Sequence, residues 1–343
     1  MKFIHTADLH FGGSQYVPKY LERQESAFDQ IFDVAYEQDI TTVVISGDIF
    51  DESDPSVETR DLVERKFLEY DSAGFTILVI PGNHDMVDRS GYTSIHYLSM
   101  LSAHGRFKNS VITETTSYVQ VDDTVFCLLV HPYGKFTESC RSAVIDYHES
   151  GVRTNARHFV MVAHETIRGS QTDVKLKDGD YYRLDSGVDT PDTSLDVTYW
   201  ALGDIHKTQS VGPCAFYSGA PLQIKFGDDW PKGVLVVDTD DPNNPKFADI
   251  ETNRLVKAHK GDTIPPNSYV KLLVSNKTDI LKDNVPDNVV RVEMSSPSTT
   301  LSLDLNSSLK TKLVDGVTQQ GATGDILDIA MSEIDSMIKA ATE

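Results

Sequence analysis

Pro81-Gly82-Asn83-His84-Asp85 sets three ligand chemistries side by side. Asn83 offers a neutral oxygen to a metal, His84 a titratable proton, and Asp85 a carboxylate that can orient the histidine. Turns favour Asn and Asp but have no need of a histidine between them. Four further segments repeat the design: Asp8-Leu9-His10, Gly47-Asp48, His164-Glu165 and Asp204-Ile205-His206. Asp and His two apart in an extended loop point the same way and can grip one ion. Imidazole and carboxylate donors without thiolate suit Mn, Fe or Zn better than Ca or Mg. Asp8, His10, Asp48, Asn83, His164, Asp204 and His206 are too many ligands for one ion and suit two that share a bridging carboxylate. Two ions roughly 3.5–4 Å apart serve in-line displacement at phosphorus, acidifying a bridging water and stabilising charge on the phosphoryl oxygens. Lys207 and Lys225 are weaker candidates for phosphate contact, since single lysines are as readily just solvated.

These segments all follow short apolar runs that read as buried strands: Lys2–Thr6, Thr41–Ser46, Phe75–Ile80, Phe159–Ala163 and Tyr199–Leu202. Helical spacing of apolar residues marks Pro18–Gln38 and Val57–Tyr70 as amphipathic helices between the first three strands. The alternation predicts an α/β fold with its site at the carboxyl ends of the strands. Two antiparallel strands are expected at Tyr118–Gln120 and Thr124–Val130, a short helix at Ala143–His148, and a returning strand at Gly233–Asp238. Arg168–Ser194, rich in Asp, Gly, Ser and Thr, reads as a long surface excursion. Beyond Asn253 the character changes. Strands at Tyr269–Val274 and Val289–Met294, flanking a short helix near Asp279–Lys282, make an appended unit too small to be stable without docking. Gly324–Ala341 carries apolar residues at helical spacing and either packs on its own domain or docks a partner. The expected division is a main domain over 1–252, a cap over 253–300 and a helical segment over 301–343.

No run approaches the roughly 18 apolar residues of a membrane helix, and no signal peptide is recognisable at the amino terminus. Three scattered cysteines, Cys127, Cys140 and Cys214, fit a reducing compartment, so a cytoplasmic protein is expected. A net charge of −21 argues against a free-standing nucleic-acid binder, which is usually basic on one face. Either the substrate is small, or DNA is held through bound metals and a partner that supplies positive surface.

The series Asp8-x-His10, Gly47-Asp48-x-x-Asp51, Gly82-Asn83-His84-Asp85, His164 and Gly203-x-x-His206 resembles the calcineurin-like metallophosphoesterases. Within them it looks most like the SbcD-type nuclease subunit of the SbcC–SbcD complex of bacteria and phages. That closer likeness rests on His5-Thr6-Ala7-Asp8-Leu9-His10-Phe11-Gly12, Gly47-Asp48-Ile49-Phe50-Asp51 and Ala201-Leu202-Gly203-Asp204-Ile205-His206-Lys207, reinforced by Tyr217-Ser218-Gly219-Ala220-Pro221. The resemblance implies a two-sheet sandwich covered by helices, with a small α+β cap that guides DNA. It implies one metal on Asp8, His10, Asp48 and His206 and a second on Asp48, Asn83, His164 and Asp204. His84 would protonate the leaving 3′ oxygen, with Asp85 supporting it. The implied cofactor is a pair of divalent ions, most often Mn²⁺, and the implied activity is exo- and endonucleolytic cleavage of DNA in repair and recombination, most often 3′ to 5′. The implied partners are an SMC-like ATPase, docked through Gly324–Ala341, and a second copy in a homodimer. The alternatives are a stand-alone enzyme for small phosphoesters and a non-catalytic scaffold of an ATPase complex. An intact His84 argues against the scaffold, which has no use for a proton donor beside the metals.

The family usually has His-x-His where this chain has Asp204-x-His206. Three ligand carboxylates against two divalent ions leave a net of +1, where a histidine would leave +2. The bound water should therefore be less acidified. An Asp204→His variant is expected to shift the pH–rate profile of phosphoester hydrolysis to lower pH. Superimposable profiles would contradict the charge argument.

Overall fold

The apolar runs at Thr42–Ser46 and Tyr199–Gly203 are buried along their whole length, and a strand buried on both faces needs a layer on each side. The fold meets that need with two sheets packed face to face and helices outside them. A computed structural model describes residues 1–15, 17–87, 92–130, 134–149, 155–175, 181–192, 194–228, 231–259, 261–274 and 288–294. The chain divides into two compact units, 1–273 with 283–293 and 274–282 with 294–343. The second falls almost entirely outside the described residues, as do the helices expected near Asp279–Lys282 and at Gly324–Ala341.

The first unit opens β1 (Lys2–Thr6), α1 (Tyr20–Glu37), β2 (Thr42–Ser46), α2 (Val57–Ser72) and β3 (Thr76–Ile80). Next come the short elements β4 (Met86–Val87), β5 (Tyr92–Thr93), α3 (His96–Ala103) and β6 (Val111–Ile112). The chain then runs through β7 (Ser117–Val121), β8 (Thr124–Leu128), α4 (Phe136–Glu149), β9 (His158–His164), the separate two-stranded pair β10 (Gln171–Lys175) and β11 (Tyr181–Arg183), and β12 (Tyr199–Gly203), β13 (Gln209–Gly212) and β14 (Ala215–Tyr217). The chain returns through β15 (Gly233–Asp238) and β16 (Lys246–Asp249), then β17 (Arg254–His259), β18 (Ser268–Val274) and β19 (Val289–Met294).

One six-stranded sheet has the order β16-β15-β1-β2-β3-β6, and the other β13-β14-β12-β9-β8-β7. The strands that carry site residues, β1, β2 and β3 in the first and β9 and β12 in the second, are parallel to their neighbours in that set. Between the sheets lie Phe3, Val44 and Leu78 against Phe126, Val160 and Tyr199. Phe3 meets Phe126 and Tyr199 edge-on, with ring centroids 5.2 and 5.7 Å apart. Each such ring contributes about 1.5–3 kcal/mol through burial alone. Outside the first sheet, Phe28 and Phe32 of α1 and Phe67 of α2 close a second core. Phe136, Cys140 and Val144 of α4 do the same for the second sheet.

The fold class is the expected α/β sandwich, but several local readings change. The helix expected at Ala143–His148 is the last part of the longer α4, and Arg168–Ser194 contains the antiparallel pair β10 and β11. The region beyond Asn253 begins with the additional strand β17, parallel to β18. Leu255 of β17 packs with Val17, Phe226 and Tyr269, and its N–H donates to Gln223 Oε1 at 2.8 Å. The appended strands are thus docked on the main body within the first unit.

His5, fully buried on β1, bridges the two sheets. Its Nε2 faces the Leu202 carbonyl at 3.2 Å, which can only accept, so Nε2 carries the hydrogen and Nδ1 accepts from the Tyr199 hydroxyl at 3.0 Å. Burial lowers its pKa to about 3, against a small opposing pull from that carbonyl. The unfolded chain therefore takes up a proton below about pH 6.5 that the folded chain refuses, and stability falls as pH drops toward 3. In urea unfolding with chelator, wild type should lose stability between about pH 6 and 4 more steeply than His5→Gln, by up to about 1.4 kcal/mol per pH unit. Parallel slopes would contradict this reading of His5.

Candidate metal centre

The loops that leave β1 and β2 run side by side. Asp8 N–H donates to the Gly47 carbonyl at 3.1 Å, His10 N–H to Asp48 at 3.1 Å, and Phe11 N–H to Ile49 at 2.8 Å. Asp8, His10 and Asp48 all take left-handed backbone conformations, with φ of 55°, 46° and 53°. Such conformations are costly for residues with a Cβ and persist where the surroundings enforce them. They turn the three side chains into one buried space, in which Asp8, His10 and Asp48 are at most 2% exposed. Gly82 has to be glycine, because a Cβ there would strike the Asp48 carboxylate; at Gly203 one would strike the Ser46 carbonyl.

The loop after β3 closes on this space through Asp48 and Asp85. Asp48 Oδ1 accepts the His84 N–H at 2.9 Å. Asp85 is fully buried, and its carboxylate accepts from the N–H groups of Ile49 (3.1 Å), Phe50 (3.0 Å) and Gly82 (2.9 Å) and from the Ser94 hydroxyl (3.1 Å). Asp85 was expected to orient His84; it instead ties the β2 and β3 loops together. His84 is held by the Asp51 carbonyl, which accepts its Nδ1–H at 2.7 Å.

The second sheet supplies the rest. His164 Nδ1–H donates to the Ser46 carbonyl at 2.7 Å, which leaves Nε2 facing Asn83 Oδ1 at 2.8 Å, Asp48 Oδ2 at 3.4 Å and Asp204 Oδ1 at 3.8 Å. His10 Nε2 and His206 Nε2 stand 3.0 Å apart, and His10 Nε2 lies 3.6 Å from Asp48 Oδ2. Asp204 N–H donates to Asp8 Oδ1 at 3.1 Å. Three sets place their ligand atoms within 4.8 Å of one another: Asp8 with His10 and His206, His10 with Asp48 and His84, and Asp8 with Asp48 and His164. All seven expected ligands therefore converge. Lys207 and Lys225 lie beside the centre rather than in it. Lys207 Nζ sits over the Tyr181 ring at 3.4 Å, and exposed Lys225 contributes to the fields at Asp51 and His206.

Asp8 Oδ2 is buried with no hydrogen-bond partner, and lone pairs of imidazole and carboxylate face one another across short distances. A buried acceptor without a donor is costly, so this donor set fits cations. The crowding also shifts the titrations. Burial pushes Asp8 up to about 7, aided by Asp48 and Asp204 against His164 and His10. Burial also opposes charge on Asp48, but His164 and His10 outweigh it and hold that carboxyl below its ordinary range. Against burial, Asp48, Asp8 and Asp204 lift His164 above the usual imidazole range, and Asp51 with Asp48 and Asp8 lifts His10. His206 is pushed below it by burial, His10 and Lys232, and so keeps its lone pair.

Two supporting residues were not foreseen in their roles. Asp51 Oδ1 lies 3.1 Å from His10 Nδ1, a carboxylate behind a histidine ligand; its spacing three after Asp48 was the available signal. Lys232 is buried and donates to the His206 carbonyl at 3.0 Å, and nothing in its sequence neighbourhood marks it.

A family model of calcineurin-like phosphoesterases matches residues 1–185, more than half of the chain. The uncharacterized metallophosphoesterase YhaO of Bacillus subtilis (strain 168) is 27% identical over 251 residues, taking in 69% of this chain and 57% of YhaO. This chain thus spans little more than half the length of that relative. Among solved structures, an archaeal phosphodiesterase is 12% identical over 73% of this chain and 99% of its own, with a TM-score of 0.34. The Escherichia coli phosphoesterase Yfce is likewise 12% identical, over 73% of this chain and all of its own, with a TM-score of 0.30. The sandwich, the converging donors and the extent of the family match lead to one conclusion: this chain belongs to the calcineurin-like phosphoesterases.

Proposed function

We propose that the chain is a phosphodiesterase acting on DNA ends with two divalent ions, Mn²⁺ foremost, as the nuclease subunit of an SbcC–SbcD-like complex. Asp8, His10, Asp48 and His206 would hold one ion and Asp48, Asn83, His164 and Asp204 the other. When bound, the pair supplies a nucleophile at neutral pH and neutralises charge on the phosphoryl oxygens.

The observation that carries the reading is His84. It stands exposed at the mouth of a buried donor set, its ring centroid 4.7 Å from that of His10. With Nδ1–H spent on the Asp51 carbonyl, Nε2 is the atom left to carry a proton to the leaving oxygen. In the hydrolysis, a bond forms between phosphorus and the oxygen of water, and the bond from phosphorus to the 3′ oxygen breaks. His84 gives its proton to that 3′ oxygen, and the water's proton passes to solvent. The docked strands β17–β19 support a macromolecular substrate, since a small-molecule enzyme has no need of an added sheet beside its main body. The acidity of the chain, −21 overall, fits a partner that brings the positive surface. An SMC-like ATPase docked through Gly324–Ala341 and a homodimeric assembly belong to the same reading. Gly324–Ala341 lies outside the described residues.

The test is digestion of linear duplex DNA labelled at its 3′ or 5′ end, with Mn²⁺ or with chelator. Mn²⁺-dependent loss of 3′ nucleotides is expected, with His84→Ala slower by roughly 10²–10⁴-fold. No cleavage of DNA alongside brisk hydrolysis of a small phosphodiester would favour the stand-alone enzyme instead.

A further inference from the structure

A carboxylate at 204 sets a problem that a histidine would not. An imidazole held through one nitrogen offers a metal a single lone pair, fixed by the ring. A carboxylate offers two equivalent oxygens on a terminal torsion with broad, two-fold preferences, so an outside group must choose which one faces the ions. In this fold the two oxygens are already told apart. Asp204 Oδ1 lies 3.8 Å from His164 Nε2, while Oδ2 is bound to the Thr166 hydroxyl. An ionised carboxylate can only accept, so the hydroxyl is the donor. The backbone beneath is pinned as well: Asp204 has a left-handed φ of 104°, and its N–H donates to Asp8 Oδ1 at 3.1 Å.

Thr166 is itself held in place by groups other than Asp204. Its N–H donates to Glu165 Oε1 at 2.9 Å, and its carbonyl accepts the Val188 N–H at 2.9 Å. On either side of it, the hydroxyl of buried Tyr217 donates to the Glu165 carbonyl at 2.6 Å and accepts the Ile167 N–H at 2.8 Å. A β-branched side chain on so fixed a backbone has little freedom at χ1. The geometry points to Thr166 as a positioning residue for the second ion: its hydroxyl engages one oxygen of Asp204 and leaves the other facing His164. This rests on the two-ion assignment proposed above. Thr166 follows His164 by two residues, so one short segment after β9 carries one ligand of that ion and orients another. The role belongs to the departure at 204, because a histidine ligand there would have no second oxygen to be held.

Calorimetric titration of the full, chelator-stripped chain with Mn²⁺ tests this without any substrate. Thr166→Val, which keeps the shape and removes the donor, should weaken one of the two ions by roughly 10–100-fold and spare the other. Thr166→Ser, which keeps the hydroxyl, should bind both ions as wild type does. Asp204→Ala should weaken the same ion, and adding Thr166→Val to it should weaken that ion no further, since the two residues act as one unit. Unchanged binding in Thr166→Val, or equal loss of both ions, would overturn the role of Thr166 while leaving the two-ion centre in place. So would a Thr166→Ser protein as weak as Thr166→Val, or a further loss beyond that of Asp204→Ala. Fewer than two ions bound by wild type would overturn both readings.

Discussion

The loops that leave β1, β3 and β9 all reach one carboxylate, that of Asp48 on the loop after β2. Its Oδ1 accepts the His84 N–H, and its Oδ2 faces His164 and His10 from opposite sheets. To stand there, Asp48 takes a left-handed backbone after Gly47, beneath a glycine at 82 that leaves room for its oxygen. A buried charge of this kind is tolerated only with compensating partners, and removing one partner from such a group costs several kcal/mol. The sandwich supplies those partners by bringing the carboxyl ends of two sheets together, with the Ser46 hydroxyl on the Ala201 carbonyl and His5 across Tyr199 and Leu202. Asp85 then locks the β2 and β3 loops against each other from behind.

The two flanks of the centre differ in character. On one flank Asp51 faces His10 with its carboxylate and fixes His84 with its carbonyl, and His206 stands against His10. On the other, His164, Asn83 and Asp204 border a cleft with Met86, Leu129 and Val130 on one side and Glu165 and Thr166 on the other.

Much of this was legible in the residues. Buried runs of Val, Ile and Leu ending in Asp, Asn or His located the strands within a residue or two, and the recurring donors located the centre. That signal survives because a ligand has to be a particular residue type. The position of a second carboxylate was not legible. Asp85 lies beside His84 in sequence, yet φ and ψ send its side chain into the core and leave His84 to the Asp51 carbonyl. Lys232 reaches His206 from across the fold, and such a contact has no local trace. The short elements α3, β6 and β17 escaped because two to eight residues carry too little periodicity to be told from loop. The paired strands β10 and β11 sit in a polar stretch whose composition reads as excursion, and their order comes from pairing with each other.

The central claim is that seven side chains from both sheets make one centre for two ions around Asp48. Calorimetric titration of chelator-stripped protein with Mn²⁺ measures this without any substrate. The account predicts about two ions per chain in wild type, and loss of tight binding at both sites in Asp48→Asn, since the shared carboxylate serves both. A single ion in wild type, or two ions bound undiminished by Asp48→Asn, would contradict it.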